Sequence, residues 1–309
     1  ALPISHGVYG GFRRQKPHPL MEYVGTVIRP PSEADAIILQ VAVGCSYNKC
    51  TFCGAYKDTP YSLKPEEEVV KDLLFAATHC RRLTRVFLAD GDVLILSQPR
   101  LLRLFTLIRH HLPWISRISL YGNARAIRGK SVDDLKELRS LGLSRIYMGL
   151  ESGCAEVLDR VRKGETPESM IAAATKVAEA GIFLSVTALL GLAGTQLWQR
   201  HAEEPARVLT AMAPRHIALL TLMPLGNTEL GRQVASGAFT LPSPEGILKE
   251  LYLLLTKLGD VRCQFHANHA SSYLPLAGRL PADRQALLAT VAAALRGDLA
   301  LVPEYRRAL

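Results

Sequence analysis

Three thiols stand within nine residues in Gly44-Cys45-Ser46-Tyr47-Asn48-Lys49-Cys50-Thr51-Phe52-Cys53-Gly54, a C-x4-C-x2-C spacing. Thiols so clustered bind metal or do redox chemistry. A zinc site usually draws a fourth ligand from a second Cys or His pair, and the next His is His79, deep in a predicted helix. A redox pair fits Cys50 and Cys53 but leaves Cys45 without work. Three thiolates with no fourth suit a [4Fe–4S] cluster whose remaining iron is open to a small molecule. Spacing alone favours the cluster and leaves zinc and a redox pair as alternatives. Cys80, Cys154 and Cys263 are scattered, as lone buried thiols usually are.

Other groups able to do chemistry fall at the ends of apolar runs. Ala89-Asp90-Gly91-Asp92 places two acids in a turn, where they either bond their own backbone or face a cation. Gly149-Leu150-Glu151-Ser152-Gly153 ends another run; a carboxylate buried there alone would cost several kcal/mol, so it needs a ligand or a basic neighbour. Leu190-Gly191-Leu192-Ala193-Gly194 supplies a small-residue turn. His266, Asn268 and His269 are candidate substrate-pocket residues; on a helix, the two imidazoles would share one face. The bland alternative is a pair of polar positions in a loop.

The elements that must position these groups alternate. Apolar runs at 37–43, 85–90, 117–121, 144–150, 183–190 and 216–222 predict six strands. Helical patterns lie between them: Pro65 with Glu66 to Glu68 opens one, Ser131 with Asp134 three residues on caps another, and Gly181 ends a third. Six strand–helix units imply parallel pairing with right-handed crossovers. No strand leads into a G-x-G-x-x-G helix entry, so a dinucleotide-binding sheet is disfavoured. The expected fold is α/β, a partial (β/α)6 TIM-like open barrel of parallel strands with an N-terminal leader and a C-terminal helical extension. The expected divisions are an extended leader over 1–35, a core barrel over 36–228, and an extension over 229–309 that packs on the barrel.

The 309 residues, 48% hydrophobic and 21% charged, exclude a disordered or collagen-like chain. The +9 charge would suit anionic partners, but the basic residues are dispersed and not interleaved with aromatics, which disfavours nucleic acid. No run of ~18 apolar residues predicts a membrane span. With no apolar signal segment in 1–19 and no disulfide pattern, the expected location is cytoplasmic.

Together these segments resemble the radical SAM superfamily. There three cysteines, usually C-x3-C-x2-C with an aromatic before the last, hold a [4Fe–4S] cluster, and S-adenosylmethionine chelates the fourth iron. Cys50, Phe52 and Cys53 match in type and spacing, while the first gap is one residue longer, which a loop can absorb. The Gly149 to Gly153 segment is similar to the methylthiotransferase and coproporphyrinogen-oxidase-like branch, and the whole to a subgroup with C-x4-C-x2-C. The match runs over residues 36 to 228.

The resemblance implies that Cys45, Cys50 and Cys53 ligate the cluster and that Phe52 flanks it. Asp90, Gly91 and Asp92 would receive the methionine amino group, Glu151 the ribose or amino group, and Gly191 would admit the adenine. It implies an enzyme that reductively cleaves S-adenosylmethionine to a 5′-deoxyadenosyl radical, which takes hydrogen from an unidentified substrate. An external donor, flavodoxin or ferredoxin-like, would supply the electron. A small molecule or a tetrapyrrole acid held by arginines is favoured as substrate. The 35 leading residues are too few for a cobalamin domain, which disfavours cobalamin-dependent methyl transfer. Two other classes stay open. A non-catalytic iron–sulfur or redox-sensing protein would leave Asp90, Asp92 and Glu151 idle. An RNA-binding or RNA-modifying protein with a cysteine metal site would use the positive charge but lacks a second Cys/His pair.

Overall fold

Pairing partners divide the first apolar run. In the computed structural model, which describes residues 21–308, β1 (Ile37–Gln40) and β2 (Ala42–Val43) are separate strands where the sequence predicts one. β2 turns aside to pair antiparallel with β3 (Ser62–Leu63), and the cysteine loop lies between the two. There follow α1 (Glu66–His79), β4 (Arg85–Ala89), α2 (Gln98–His111), β5 (Arg117–Tyr121), α3 (Ala124–Arg128), α4 (Val132–Ser140) and β6 (Leu143–Glu151). Next come α5 (Ala155–Arg160), α6 (Pro167–Glu179), β7 (Phe183–Leu190), α7 (Trp198–Met212) and β8 (His216–Thr221). The chain closes with α8 (Glu229–Ala235), α9 (Pro244–Lys257), β9 (Cys263–Ala267), β10 (Leu276–Leu280) and α10 (Arg284–Leu295).

The helix starts follow their sequence signals. Pro65 precedes α1, whose first turn holds Glu66, Glu67 and Glu68 against the positive end of the helix. Ser131 and Asp134 form a reciprocal capping box on α4, as their spacing predicts.

One eight-stranded sheet runs β1-β4-β5-β6-β7-β8-β9-β10, parallel throughout except for the antiparallel β9–β10 pair. β1 and β10 are its edges, so the barrel is open, as expected. The extension contributes the expected helices and, in addition, β9 and β10. In β9, Cys263, Phe265 and Ala267 are buried while Gln264 and His266 are not, a period of two over only five residues. That corrects the helical reading of His266 and His269: His266 lies on a strand and His269 in the loop after it.

Alternation sorts the strand residues between two faces. Val86, Leu88, Ile118, Leu120, Ile146 and Met148 join the main core with helix residues such as Leu73, Phe105 and Leu138. Phe87, Ala89 and Tyr147 belong to a separate cluster with Val27, Ala36 and Ile38, on the concave side. Below it, the fully buried Glu33 accepts from Arg117 at 3.0 Å and from the Tyr147 hydroxyl at 2.5 Å. The segment at Pro31–Glu33 thereby closes the amino-terminal end of the concave face, leaving the carboxyl ends of the strands as its mouth.

Candidate active site

The cysteine loop is held from several sides. Gly91 N–H donates to the Gly44 carbonyl at 3.2 Å, and a Cβ on Gly91 would lie 2.9 Å from Tyr56 and 3.3 Å from the Cys45 Cβ; only glycine lets the β4 turn approach this closely. Thr51 N–H donates to the Val161 carbonyl, and Leu230 N–H to the Thr51 carbonyl, both at 2.9 Å. Phe52 packs into an apolar cluster with Cys154, Val161, Leu192, Leu222 and Leu230. The aromatic before the last cysteine therefore anchors the loop against the ends of β7 and β8.

The three thiols are half-buried and free. Burial pushes the Cys50 thiol up to about 11; Lys163 opposes this, while Glu151, Cys53 and Cys45 add to it. Burial also raises Cys53, with Glu151 and Cys45 again adding. Cys50 thus senses the other two thiols and Glu151, and Cys53 senses Cys45 and Glu151. Among the described residues no three His, Cys, Asp or Glu side chains are grouped to hold a metal ion.

The two acids of the β4 turn differ. Asp90 is satisfied: its carboxylate accepts from the Tyr56 hydroxyl at 2.5 Å and from Gln40 at 3.3 Å. Asp92 Oδ2 accepts from Ser46 Oγ and Asn123 Nδ2, both at 2.6 Å, but its buried Oδ1 has no partner among the described residues. Burial raises both carboxyls to about 6, against the hydrogen bonds that pull them down. The Tyr61 hydroxyl, also buried and without a partner among the described residues, is raised by burial and then by Asp92 and Cys45. An unsatisfied carboxylate oxygen beside the cysteine loop is the demand that a bound ammonium would meet.

Glu151 ends β6 in the left-handed region, at φ 60. A non-glycine residue is held there only where its surroundings fix it. Its carboxylate pairs with Lys163 at 2.9 Å, and the side chains are only 14% and 12% exposed. Burial lowers the Lys163 pKa, yet Glu151 and Cys50 outweigh it and the amine stays above its ordinary value. A Cβ on Gly149 would collide with the Glu151 carboxylate and lie 3.2 Å from Lys163 Nζ, so that glycine makes room for the pair. Gly153 meets the backbone of Pro205 in α7, where a Cβ would be 2.5 Å away. The basic partner of Glu151 is therefore a lysine twelve residues on, which sequence reasoning missed; its one signal is the Arg162-Lys163-Gly164 turn after α5.

Gly191, at φ 82, donates its N–H to the buried Glu250 at 3.1 Å, and Glu250 also bonds His201 at 2.9 Å. Of the histidine group, His266 Nδ1 lies 2.8 Å from His216 Nε2, whose Nδ1 lies 2.7 Å from Ser185 Oγ. Burial takes His216 down to about 4, with His266 and Arg145 adding. Asn268 is exposed, and His269 pairs with Ser271 at 2.9 Å. The structure thus joins His266 to Ser185 and His216, which the sequence reading had not singled out, while Asn268 and His269 lie beyond the strand.

The model of the radical SAM superfamily matches residues 39–202, more than half of the chain. The chain belongs to this superfamily of iron–sulfur enzymes, whose cofactors are a [4Fe–4S] cluster and S-adenosylmethionine. It is 26% identical over 192 residues to 4'-phospho-dehydrooxetanocin synthase of Priestia megaterium, covering 57% of this chain and 25% of that protein. Among solved structures, it resembles coproporphyrinogen III oxidase of Escherichia coli with a TM-score of 0.53, at 20% identity over 72% of this chain and 52% of that one. It also resembles the radical S-adenosylmethionine methyltransferase TsrM of Kitasatospora setae with a TM-score of 0.53, at 20% identity over 65% of this chain and 39% of that one. These structures share the fold, and the chain spans a quarter to about half of the length of these three proteins. Among the described residues no helix is long and apolar enough to cross a membrane.

Proposed function

We propose that the chain binds a [4Fe–4S] cluster through Cys45, Cys50 and Cys53 and S-adenosylmethionine across the mouth of the open barrel, and that it works as a radical enzyme. Bound together, these groups supply reductive cleavage of the sulfonium and a 5′-deoxyadenosyl radical able to take hydrogen from carbon. One observation carries the reading: the cysteine loop after β2 and the ends of β4 and β6, with Asp92 and Glu151, form one coupled set, through the Ser46–Asp92 bond, the Gly91–Gly44 bond and the field of Glu151 at Cys50.

Within that set, Asp92 Oδ1 accepts the ammonium of the methionine moiety, since Asp90 is already spent on Tyr56 and Gln40. Glu151, fixed by Lys163, offers its remaining acceptor capacity to a ribose hydroxyl or the amine. Gly91 and Gly191 keep the turns low, and Phe52 seals the loop against water.

The substrate we favour is a small organic acid, a tetrapyrrole included, lying on the concave face. Arg145, a cation with no carboxylate partner among the described residues, stacks 4.1 Å over Phe183 and bonds the Tyr147 hydroxyl at 3.1 Å at the floor of that face, on the side that Glu33 closes. His216 and His266 stand on β8 and β9, two and three strands along the sheet from β6. Anaerobic reconstitution tests the reading through visible and paramagnetic-resonance spectra with and without S-adenosylmethionine, followed by detection of methionine and 5′-deoxyadenosine. A cluster whose spectrum ignores S-adenosylmethionine, with no cleavage products, would return the chain to the non-catalytic iron–sulfur class.

A further inference from the structure

The concave face carries a hydrogen-bonded series of side chains that the cofactor site does not use. Ser185 Oγ on β7 lies 2.7 Å from His216 Nδ1 on β8, and His216 Nε2 lies 2.8 Å from His266 Nδ1 on β9. Ser185 is 1% exposed and has no other partner among the described residues. Burial, His266 and Arg145 hold His216 neutral, so its ring carries a single N–H. If that hydrogen pointed at Ser185, the serine's own hydroxyl hydrogen would be buried without an acceptor. Hydrogen-bond satisfaction therefore sets the direction: Ser185 donates to His216, His216 donates to His266, and His266 keeps its hydrogen on Nε2. That nitrogen has no partner among the described residues.

Strand register shows what it faces. Gly149, Thr187, Ala218, His266 and Ala277 form one row across the concave face, and His266 is the only large side chain in it. The row is a trough. It starts beneath the Glu151 carboxylate, which a Cβ on Gly149 would strike, and reaches His266 three strand spacings away, about 14 Å along the sheet. Arg145, whose field reaches His216, has no carboxylate partner among the described residues, since Glu33 is taken by Arg117 and the Tyr147 hydroxyl. That charge favours an anion over a neutral acceptor. One N–H donor and one unpaired guanidinium suit a singly charged group, whereas a phosphate brings nearly two charges and three acceptor oxygens.

We propose that His266 recognises a carboxylate of the substrate through its Nε2–H, with His216 and Ser185 as positioning residues, and that the substrate lies along the trough between His266 and Glu151. This rests on the reading of the concave face as the face that takes an organic acid. It adds the atom that recognises the acid and the place where that end of the molecule sits.

The test reads the histidines directly by magnetic resonance, in the full chain reconstituted anaerobically, with the imidazoles labelled with nitrogen-15 and assigned by single substitution. Without ligand, His216 and His266 should both be protonated at Nε2; a hydrogen on His216 Nδ1 overturns the assignment. Three probes share one tail: hexanoate, hexanamide and hexyl phosphate. Hexanoate should shift the His266 Nε2 signal saturably and bind more tightly than the other two. Its affinity, measured from the probe's own signals, should fall roughly ten- to a hundredfold in His266→Ala. Ser185→Ala should let His216 populate both tautomers and weaken hexanoate as well, with the melting temperature as the control for folding. Hexanamide or hexyl phosphate binding as tightly as hexanoate overturns the carboxylate assignment. Hexanoate binding that persists unchanged in His266→Ala strikes the role of His266 and leaves the organic-acid reading standing, whereas no hexanoate binding strikes both. Failure to cleave S-adenosylmethionine strikes the radical-enzyme reading instead, because tautomers and affinities are read on β7 to β9 whatever the cysteine loop holds.

Discussion

Replacing Glu151 by Gln keeps the shape of the side chain and removes the charge that Lys163 faces at 2.9 Å. At an effective dielectric of about 20, a pair at that distance attracts by roughly 6 kcal/mol before desolvation is counted. Both side chains are nearly buried, and removing one member of such a pair costs about 3–5 kcal/mol because the other charge is stranded. Gln can still accept a hydrogen bond from the ammonium, so we expect a loss at or just below the bottom of that range, about 2–3 kcal/mol. At ~2–4 °C per kcal/mol that is a fall in Tm of roughly 5–10 °C. A second effect is separate. If Glu151 also accepts from S-adenosylmethionine, a charge-assisted bond worth ~1.5–3 kcal/mol is weakened, and affinity drops about ten- to a hundredfold. Anaerobic titration of the reconstituted variant reads this directly, with the cluster spectrum as the control for folding. A lowered Tm with unchanged affinity would make Glu151 a purely structural partner of Lys163 and refute its place in the cofactor site.

Changing Cys45, Cys50 or Cys53 singly to Ala should each abolish the broad visible absorbance of the reconstituted protein; a full cluster in Cys45→Ala would mean that the long first gap excludes Cys45 from ligation. Asp90 and Asp92 are raised from 3.8 to about 6, so between those values the native state holds protons that the unfolded chain has lost, and stability falls as pH rises through that window. Two pH units are worth about 3 kcal/mol per group, so ligand-free Asp92→Asn should be about 2–3 kcal/mol more stable than the wild type at about pH 7 and level with it near about pH 4 in urea unfolding. Equal stability at both pH values would show that Asp92 is not the buried, under-bonded acid described above. Gly153→Ala puts a methyl 2.5 Å from the Pro205 backbone and should cost about 1–3 kcal/mol, seen as a lower urea midpoint; no change would mean that α7 yields freely there.

The barrel was legible because parallel strands buried on both faces are written as continuous apolar runs, and the helices between them carry their own start signals. Arg117–Tyr121 and Phe183–Leu190 match their apolar runs residue for residue. β9 escaped because five residues that alternate Cys-Gln-Phe-His-Ala carry too little apolar weight to outvote a helical spacing of two histidines. The short helices at Ala124–Arg128 and Ala155–Arg160 escaped for a related reason, since a turn or two of helix shows little periodicity.

The candidate site divides along the same line. The candidates that rest on type and local spacing, the three cysteines with Phe52, the Asp90-Gly91-Asp92 turn and Gly149 to Gly153, each come from one short stretch and could be proposed from the sequence directly. Residues that act through partners distant in sequence could not: Lys163 reaches Glu151 from the far side of α5, Asn123 reaches Asp92 from the end of β5, and Glu250 reaches Gly191 from α9. This separation has a physical basis. Strand ends deliver backbone turns and short side chains to the mouth of the barrel, and the sequence shows those turns. The charges that tune them arrive on crossovers, whose position depends on how helices pack. Lys163 is the sharpest instance: it sits in a loop with no pattern of its own, yet it opposes the rise of the Cys50 thiol and fixes the carboxylate of Glu151. A lysine held at that point makes the thiol loop easier to deprotonate, and ligation requires deprotonated thiols. Its placement ties the cysteine motif to the β6 acid more closely than either motif alone could indicate.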